Sequence, residues 1–187
     1  SGYLKLNQRW DERGRIQAAL SIPNLEVQLV WEDSFYEWMM EGLGNIDPLH
    51  QALLTGDAPA VEELLERLLL RHVSTWDVQD TQDEAFYHAF VLGLLVSLEK
   101  THRVQSNREV GRRRADVQLA PKETGKPGVI LEFKKQVKGR TLGKLAEEAL
   151  KQTETLAYTT ELQSLGATPI WRFGIAFAGK KVAVKTI

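Results

Sequence analysis

Three charged residues stand where apolar ones are expected. In "GVILEFKKQVKG", residues 128–139, a run with strand character carries Glu132 and Lys134 with only Phe133 between them. Side chains alternate along a strand, so Val129, Leu131 and Phe133 point to one face while Ile130, Glu132 and Lys134 point to the other. The same alternation in "RADVQL" separates Arg114, Asp116 and Gln118 from Ala115, Val117 and Leu119. If the loop "PKETGKPG" closes a hairpin, Asp116 falls opposite Glu132, roughly 5 Å away. Two carboxylates that close repel each other unless one takes up a proton or a cation lies between them. A divalent metal removes the conflict, and hard oxygen ligands completed by solvent suit Mg²⁺. Lys134 then holds remaining charge and contacts a water or a phosphate. The competing reading is an ion pair of Lys134 with Asp116 or Glu132 on a solvated sheet face.

Further polar residues fall on faces that should be apolar. Glu84 shares a helix side with Tyr87, Val91, Leu94 and Leu98 and so faces inward. Thr81 to Glu84 also spells a capping box, which alone accounts for an acid there. Gln152 falls in the apolar stripe of its helix, where an amide without partners costs about 1–3 kcal/mol. It bonds either to the fold or to a substrate. His88, one turn after Glu84, reads as a helix-face histidine rather than a ligand. Zinc-type HxxxE spacing, a nucleophile elbow and a Gly-rich phosphate loop are all missing from the sequence.

The elements that must position these residues follow from periodicity. "YLKLNQRWDERGRIQAAL" predicts a hairpin turning near Gly14, and Asn24 caps a helix over about Leu25 to Leu43. "DPLHQALLTGD" and "APAVEELLERLLLRHVS" predict two further helices, completing a helical annex. "TQDEAFYHAFVLGLLVSLEK" predicts one long helix, and "HRVQSNREVGRRRADVQLA" two strands about a turn. After the strand of Glu132, residues 142 to 158 predict one helix, with Leu142, Leu145, Ala146, Ala149 and Leu156 on its apolar face. "IWRFGIAF" and "KVAVKTI" predict a closing strand pair.

At 187 residues, 43% hydrophobic and 26% charged, the chain has ordinary globular composition and can bury a sizeable core. No apolar run approaches the roughly 20 residues of a membrane helix, so no membrane partner is expected. The absence of cysteine removes disulfides and thiolate metal sites and is compatible with a reducing cytoplasm. The net charge of −1 conceals an asymmetry: residues 1–83 hold 6 Lys/Arg against 15 Asp/Glu, or −9, and residues 84–187 hold 18 against 10, or +8. A basic region of this kind is what a polyanion partner requires. Attraction between an acidic annex and a basic body accounts for it equally well.

In order, Glu84 on a helix, Asp116 on a strand, Glu132-Phe133-Lys134 on the next strand and Gln152 on the following helix resemble the PD-(D/E)XK nuclease superfamily. The wording of "EAFYHAFVLGLL", "SNREVG", "RADV", "LEFKK", "ALKQTETLAY" and "GIAFAGKKV", with "SGYL" and "SIPNLEV" upstream, is closest to one branch. That branch comprises the nuclease-like domains found C-terminal to AAA-type ATPase domains in bacterial and archaeal proteins. Ala115 stands where the superfamily name has proline, and Arg113 where the branch usually has glycine.

The resemblance implies an α/β, restriction-endonuclease-like mixed β-sheet flanked by helices over residues 81–187, preceded by the N-terminal hairpin and acidic helical annex over residues 1–80. It implies a Mg²⁺ or Mn²⁺ ion held by Asp116, Glu132 and the main-chain carbonyl of Phe133, with Glu84 supporting the site directly or through water. Lys134 would orient or help deprotonate the attacking water, and Gln152 would position that water or the scissile phosphate. Arg112, Arg113, Arg114 and Lys135 would contact nucleic acid, Arg114 as a phosphate clamp unless it pairs with a nearby carboxylate. The implied activity is hydrolysis of phosphodiester bonds, with DNA the expected substrate and RNA the other candidate. An AAA-type ATPase domain, in the same or another chain, and a second copy of this chain are the expected protein partners. A non-cleaving nucleic-acid-binding or ATPase-docking module on the same fold is the rival.

Overall fold

The strand Gly128–Lys135 is buried on both faces over its first four residues. A strand of that kind needs cover on both sides, and this requirement organises the fold. The computed structural model describes residues 5–12, 15–21, 24, 44–73, 84–106, 115–154 and 156–187. In chain order the described elements are strands β1 (Lys5–Glu12) and β2 (Arg15–Ser21), then helices α1 (Asp47–Thr55), α2 (Ala58–His72) and α3 (Glu84–Leu95). A 3₁₀ turn (Val96–Lys100) leads into strands β3 (His102–Ser106), β4 (Val117–Pro121) and β5 (Gly128–Lys135). Helices α4 (Leu142–Gln152) and α5 (Leu156–Ser164) and strands β6 (Ile170–Ala178) and β7 (Lys181–Thr186) complete the chain.

Contacts divide the chain into two units, Ser1–Gly44 and Asn45–Ile187. In the first, β1 and β2 pair antiparallel as the expected hairpin, with a register shift between Leu6 and Gln8. The helix expected over Leu25 to Leu43 lies outside the described residues. The second unit holds a five-stranded sheet of order β3-β4-β5-β6-β7 together with α1 and α2, the helices that the sequence assigns to an annex ending at residue 80. All its strand pairs are antiparallel except β5–β6. A parallel pair cannot be joined by a tight turn, and α4 and α5 supply the crossover. This is the mixed sheet flanked by helices that the sequence predicts. Among the described residues no helix is long and apolar enough to cross a membrane.

The two sheet faces have different cover. Leu131, Phe133, Phe173, Ile175 and Phe177 share one face, where Tyr87 of α3 stacks on Phe177 at 4.5 Å and His88 meets the Phe133 ring edge-on at 5.8 Å. The opposite face carries Ala176 under Leu145 and Ala146 of α4, and Ile130 and Ala120 under Tyr158 and Leu162 of the α5 segment. Gly174 lies on this second face, in register with Glu132. A Cβ at Gly174 would come within 2.1 Å of the Ala146 carbonyl oxygen and 2.2 Å of the Leu150 nitrogen. The missing side chain therefore lets the α4 backbone lie directly on the sheet.

The helix expected over residues 142–158 is two helices. Thr153, fully buried, donates from both its backbone N–H and its hydroxyl to the Leu150 carbonyl, at 3.0 and 2.6 Å. The i−3 bond tightens the last turn of α4 and ends it. The long helix expected before β3 likewise stops at Leu95 and continues as the 3₁₀ turn.

Candidate active site

The β4–β5 ladder fixes how the charged residues meet. Val117 pairs with Leu131, Gln118 with Ile130 and Leu119 with Val129, and the next step of that register sets Asp116 opposite Glu132. Asp116 sits at a bend just before β4, so other contacts secure it. Its carboxylate Oδ2 accepts the Phe133 backbone N–H at 2.8 Å, and its carbonyl accepts from His88 Nε2 at 3.0 Å.

Within one extended residue the N–H and C=O leave the same flank of the strand. The Phe133 carbonyl therefore points to the Asp116 flank, beyond the last residue of the β4 ladder. Gln136, three residues on, turns its N–H the other way, to the Phe177 carbonyl at 2.7 Å on β6. The Phe133 ring meanwhile enters the core on the α3 side of the sheet, fully buried. Glu132 and Lys134 project to the α4 side and are half-buried.

Electrostatics bind these residues into one cluster. Burial, first, and the charge of Asp116, second, push the Glu132 carboxyl up to about 7. Lys134 and a backbone hydrogen bond from Asp116 pull it down, and the charge of Glu84 pushes it up further. Lys134 influences Glu132 without forming a close pair. The two ion pairs among the described residues join Lys122 to Glu99 and Arg140 to Glu148. The simple ion pair considered for Lys134 is therefore not what the structure shows.

The donor set fits a hard cation. Two neighbouring carboxylates, one pressed towards protonation by burial and then by the other's charge, and a carbonyl on their flank form an all-oxygen group whose repulsion a divalent ion relieves. The side chains alone do not complete a shell: among the described residues no group of three or more His, Cys, Asp or Glu gathers closely enough to hold an ion. Asp116, Glu132 and the Phe133 carbonyl form the inner group that could hold an ion. Glu84, half-buried at the start of α3, acts on Glu132 through space.

The remaining expected residues are placed differently. Gln152 is exposed, which corrects its assignment to the apolar stripe of its helix. The helix ends at that residue, so the stripe of Leu145, Ala146 and Ala149 runs out before it, and Thr153 takes the buried position. Lys135 is exposed and alternates away from Lys134. It lines a cavity of about 160 Å³ with Tyr87, Gln136, Phe177, Ala178 and Gly179, at the end of β5. That cavity holds none of the acids. Arg112, Arg113 and Arg114 lie outside the described residues, as does Thr81 of the expected capping box.

Three residues of the site escape the sequence patterns. His88 holds the Asp116 carbonyl, and Gly174 admits α4 beside Glu132. Gln118, 1% exposed, is two residues from Asp116 on the same sheet face, and among the described residues its Nε2 has no hydrogen-bond partner. Only His88 leaves a usable signal, being four residues after Glu84 on an inward helix face.

An acid pair where an antiparallel hairpin opens, beside a strand that continues by a helical crossover into a parallel neighbour, defines the restriction-endonuclease-like class. A profile of the PD-(D/E)XK nuclease superfamily matches residues 82–187, more than half of the chain, and the chain belongs to that superfamily. Such proteins hydrolyse phosphodiester bonds and typically use divalent metal ions. No curated protein matches the chain.

Proposed function

We propose that this chain is a metal-dependent nuclease that hydrolyses phosphodiester bonds in DNA, with Mg²⁺, or Mn²⁺ in its place, held by Asp116, Glu132 and the Phe133 carbonyl. The observation that carries this reading is the Asp116–Phe133 hydrogen bond of 2.8 Å beside a Glu132 carboxyl pushed upward first by burial and second by the neighbouring acid. When bound, a divalent ion lowers the pKa of the attacking water and offsets charge on the phosphoryl group.

The chain's own groups do the rest. Glu84 adds negative charge behind the inner acids and strengthens their hold on a cation. Lys134, on the same sheet face as Glu132, orients the water and meets negative charge as it develops on the phosphate oxygens. Water attacks phosphorus, one ester P–O bond breaks, and the leaving oxygen gains a proton. Gln152, exposed at the end of α4, reaches the substrate side of the site and positions the scissile phosphate. Lys135 and Arg112 to Arg114 add cations for the nucleic-acid backbone. The motif wording supports a finer placement, beside an AAA-type ATPase domain in the same or another chain.

Plasmid and single-stranded DNA, incubated with Mg²⁺, Mn²⁺ or EDTA, test this. Wild type is expected to cut with metal and not with EDTA. Asp116→Asn, which keeps an acceptor for the Phe133 N–H but loses the charge, and Lys134→Ala are expected to fall by about 10²-fold or more. Retained, salt-sensitive DNA binding with no cutting under any metal would instead favour the non-cleaving module.

A further inference from the structure

We infer that His88 is a positioning residue for the metal site: its Nε2–H, donated to the Asp116 carbonyl, sets the distance between the two acids. The inference rests on the metal-binding reading above. Asp116 lies past the last β4–β5 pair, Val117 with Leu131, at a bend where its carbonyl accepts a side-chain hydrogen bond. His88 supplies that bond at 3.0 Å, across 28 residues of sequence. A carbonyl oxygen can only accept, so Nε2 carries the proton. Ser106 Oγ, at 3.2 Å from the same nitrogen, then takes the longer branch as acceptor.

The same ring touches the other half of the site. It meets Phe133 in a T-shaped contact with ring centroids 5.8 Å apart, and Phe133 supplies both the N–H that holds Asp116 and the carbonyl on the same flank. At 6% exposure the ring is enclosed, so the bond is shielded from competing water. One imidazole thus fixes the peptide of Asp116 by a hydrogen bond and the peptide of Phe133 by packing. Groups that orient ligands in this way typically govern metal affinity by about 10–100-fold.

The test measures Mn²⁺ affinity by electron paramagnetic resonance on the whole chain without substrate, beside thermal unfolding. His88→Phe keeps an aromatic edge for Phe133 but removes the donor, and His88→Gln restores an N–H donor. The expected result is about tenfold weaker Mn²⁺ binding for His88→Phe and recovery to within about threefold for His88→Gln. If His88→Phe does not fold, His88→Met, of similar size and also without a donor, carries the same expectation. His88→Phe binding Mn²⁺ as wild type does, or His88→Gln binding as weakly as His88→Phe, overturns the inference while leaving the metal site standing. Wild type that binds no Mn²⁺ removes the metal reading itself, and the inference with it.

Discussion

At the scale of single residues, Glu132 shows how a strand can store a charge conflict. Its carboxyl titrates at about 7 in the fold against an ordinary 4.5. Between those values the native chain keeps a proton that the unfolded chain has released, so stability falls as pH rises from about 4.5 to about 7 and is level above. In EDTA, wild type is expected to melt at a higher temperature at pH 5 than at pH 8 by a margin that Glu132→Gln lacks; scanning calorimetry of both proteins isolates the difference. Added Mg²⁺ is expected to raise the wild-type midpoint most at pH 8, where the Glu132 carboxyl has given up its proton. Equal pH slopes for the two proteins would remove the conflict from the account. The acid pair was legible because period-two alternation and a plain turn sequence determine which residues oppose one another. Gln152 was misread because helical periodicity says which face a residue occupies, not whether the helix still has a sheet beneath it.

At the scale of elements, Gly174 decides whether α4 can lie beside Glu132. No turn or positive φ explains this glycine; the close approach of the Ala146 carbonyl and the Leu150 nitrogen does. Both are backbone atoms within a helix and cannot swing aside. Gly174→Ala is expected to cost about 3 kcal/mol or more, at the upper end of overpacking penalties, and to appear as a large fall in the urea midpoint. A midpoint shift below about 0.5 kcal/mol equivalent, the range of neutral surface changes, would show that α4 stands further off the sheet. The order of elements was readable from the sequence, and so was the hairpin that joins β4 to β5. The break between α4 and α5 was not, since it depends on Thr153 bonding back to Leu150, a local competition that an apolar stripe does not reveal.

At the scale of the second unit, both outer strands of the sheet are guarded by glutamates. On β7, the outward N–H groups of Val182 and Val184 donate to Glu66 and Glu62 of α2, at 2.9 and 2.8 Å. On β3, the Val104 N–H donates to Glu99 at 2.8 Å. Unpaired strand edges invite pairing with another chain, and covering them prevents it. Glu62→Ala combined with Glu66→Ala is expected to lose about 1–3 kcal/mol per bond and to promote concentration-dependent association, read by sedimentation velocity. An unchanged sedimentation profile at high concentration would show that the body of α2, rather than its acids, closes that edge. The acids of α2 therefore have a specific structural task, beyond the long-range attraction that the charge asymmetry alone suggests.

Phe133 sends its ring into the apolar interior and its carbonyl to the flank of Asp116, so one residue belongs to two environments at once. A substitution that lets neighbouring rings settle differently would tilt the peptide plane whose N–H holds Asp116. Evolution or a protein engineer is then not at liberty to exchange one bulky side chain for another at position 133, even though that side chain is closed off from solvent. Tolerance to change in this fold should be lowest at a place that a catalytic inventory would pass over.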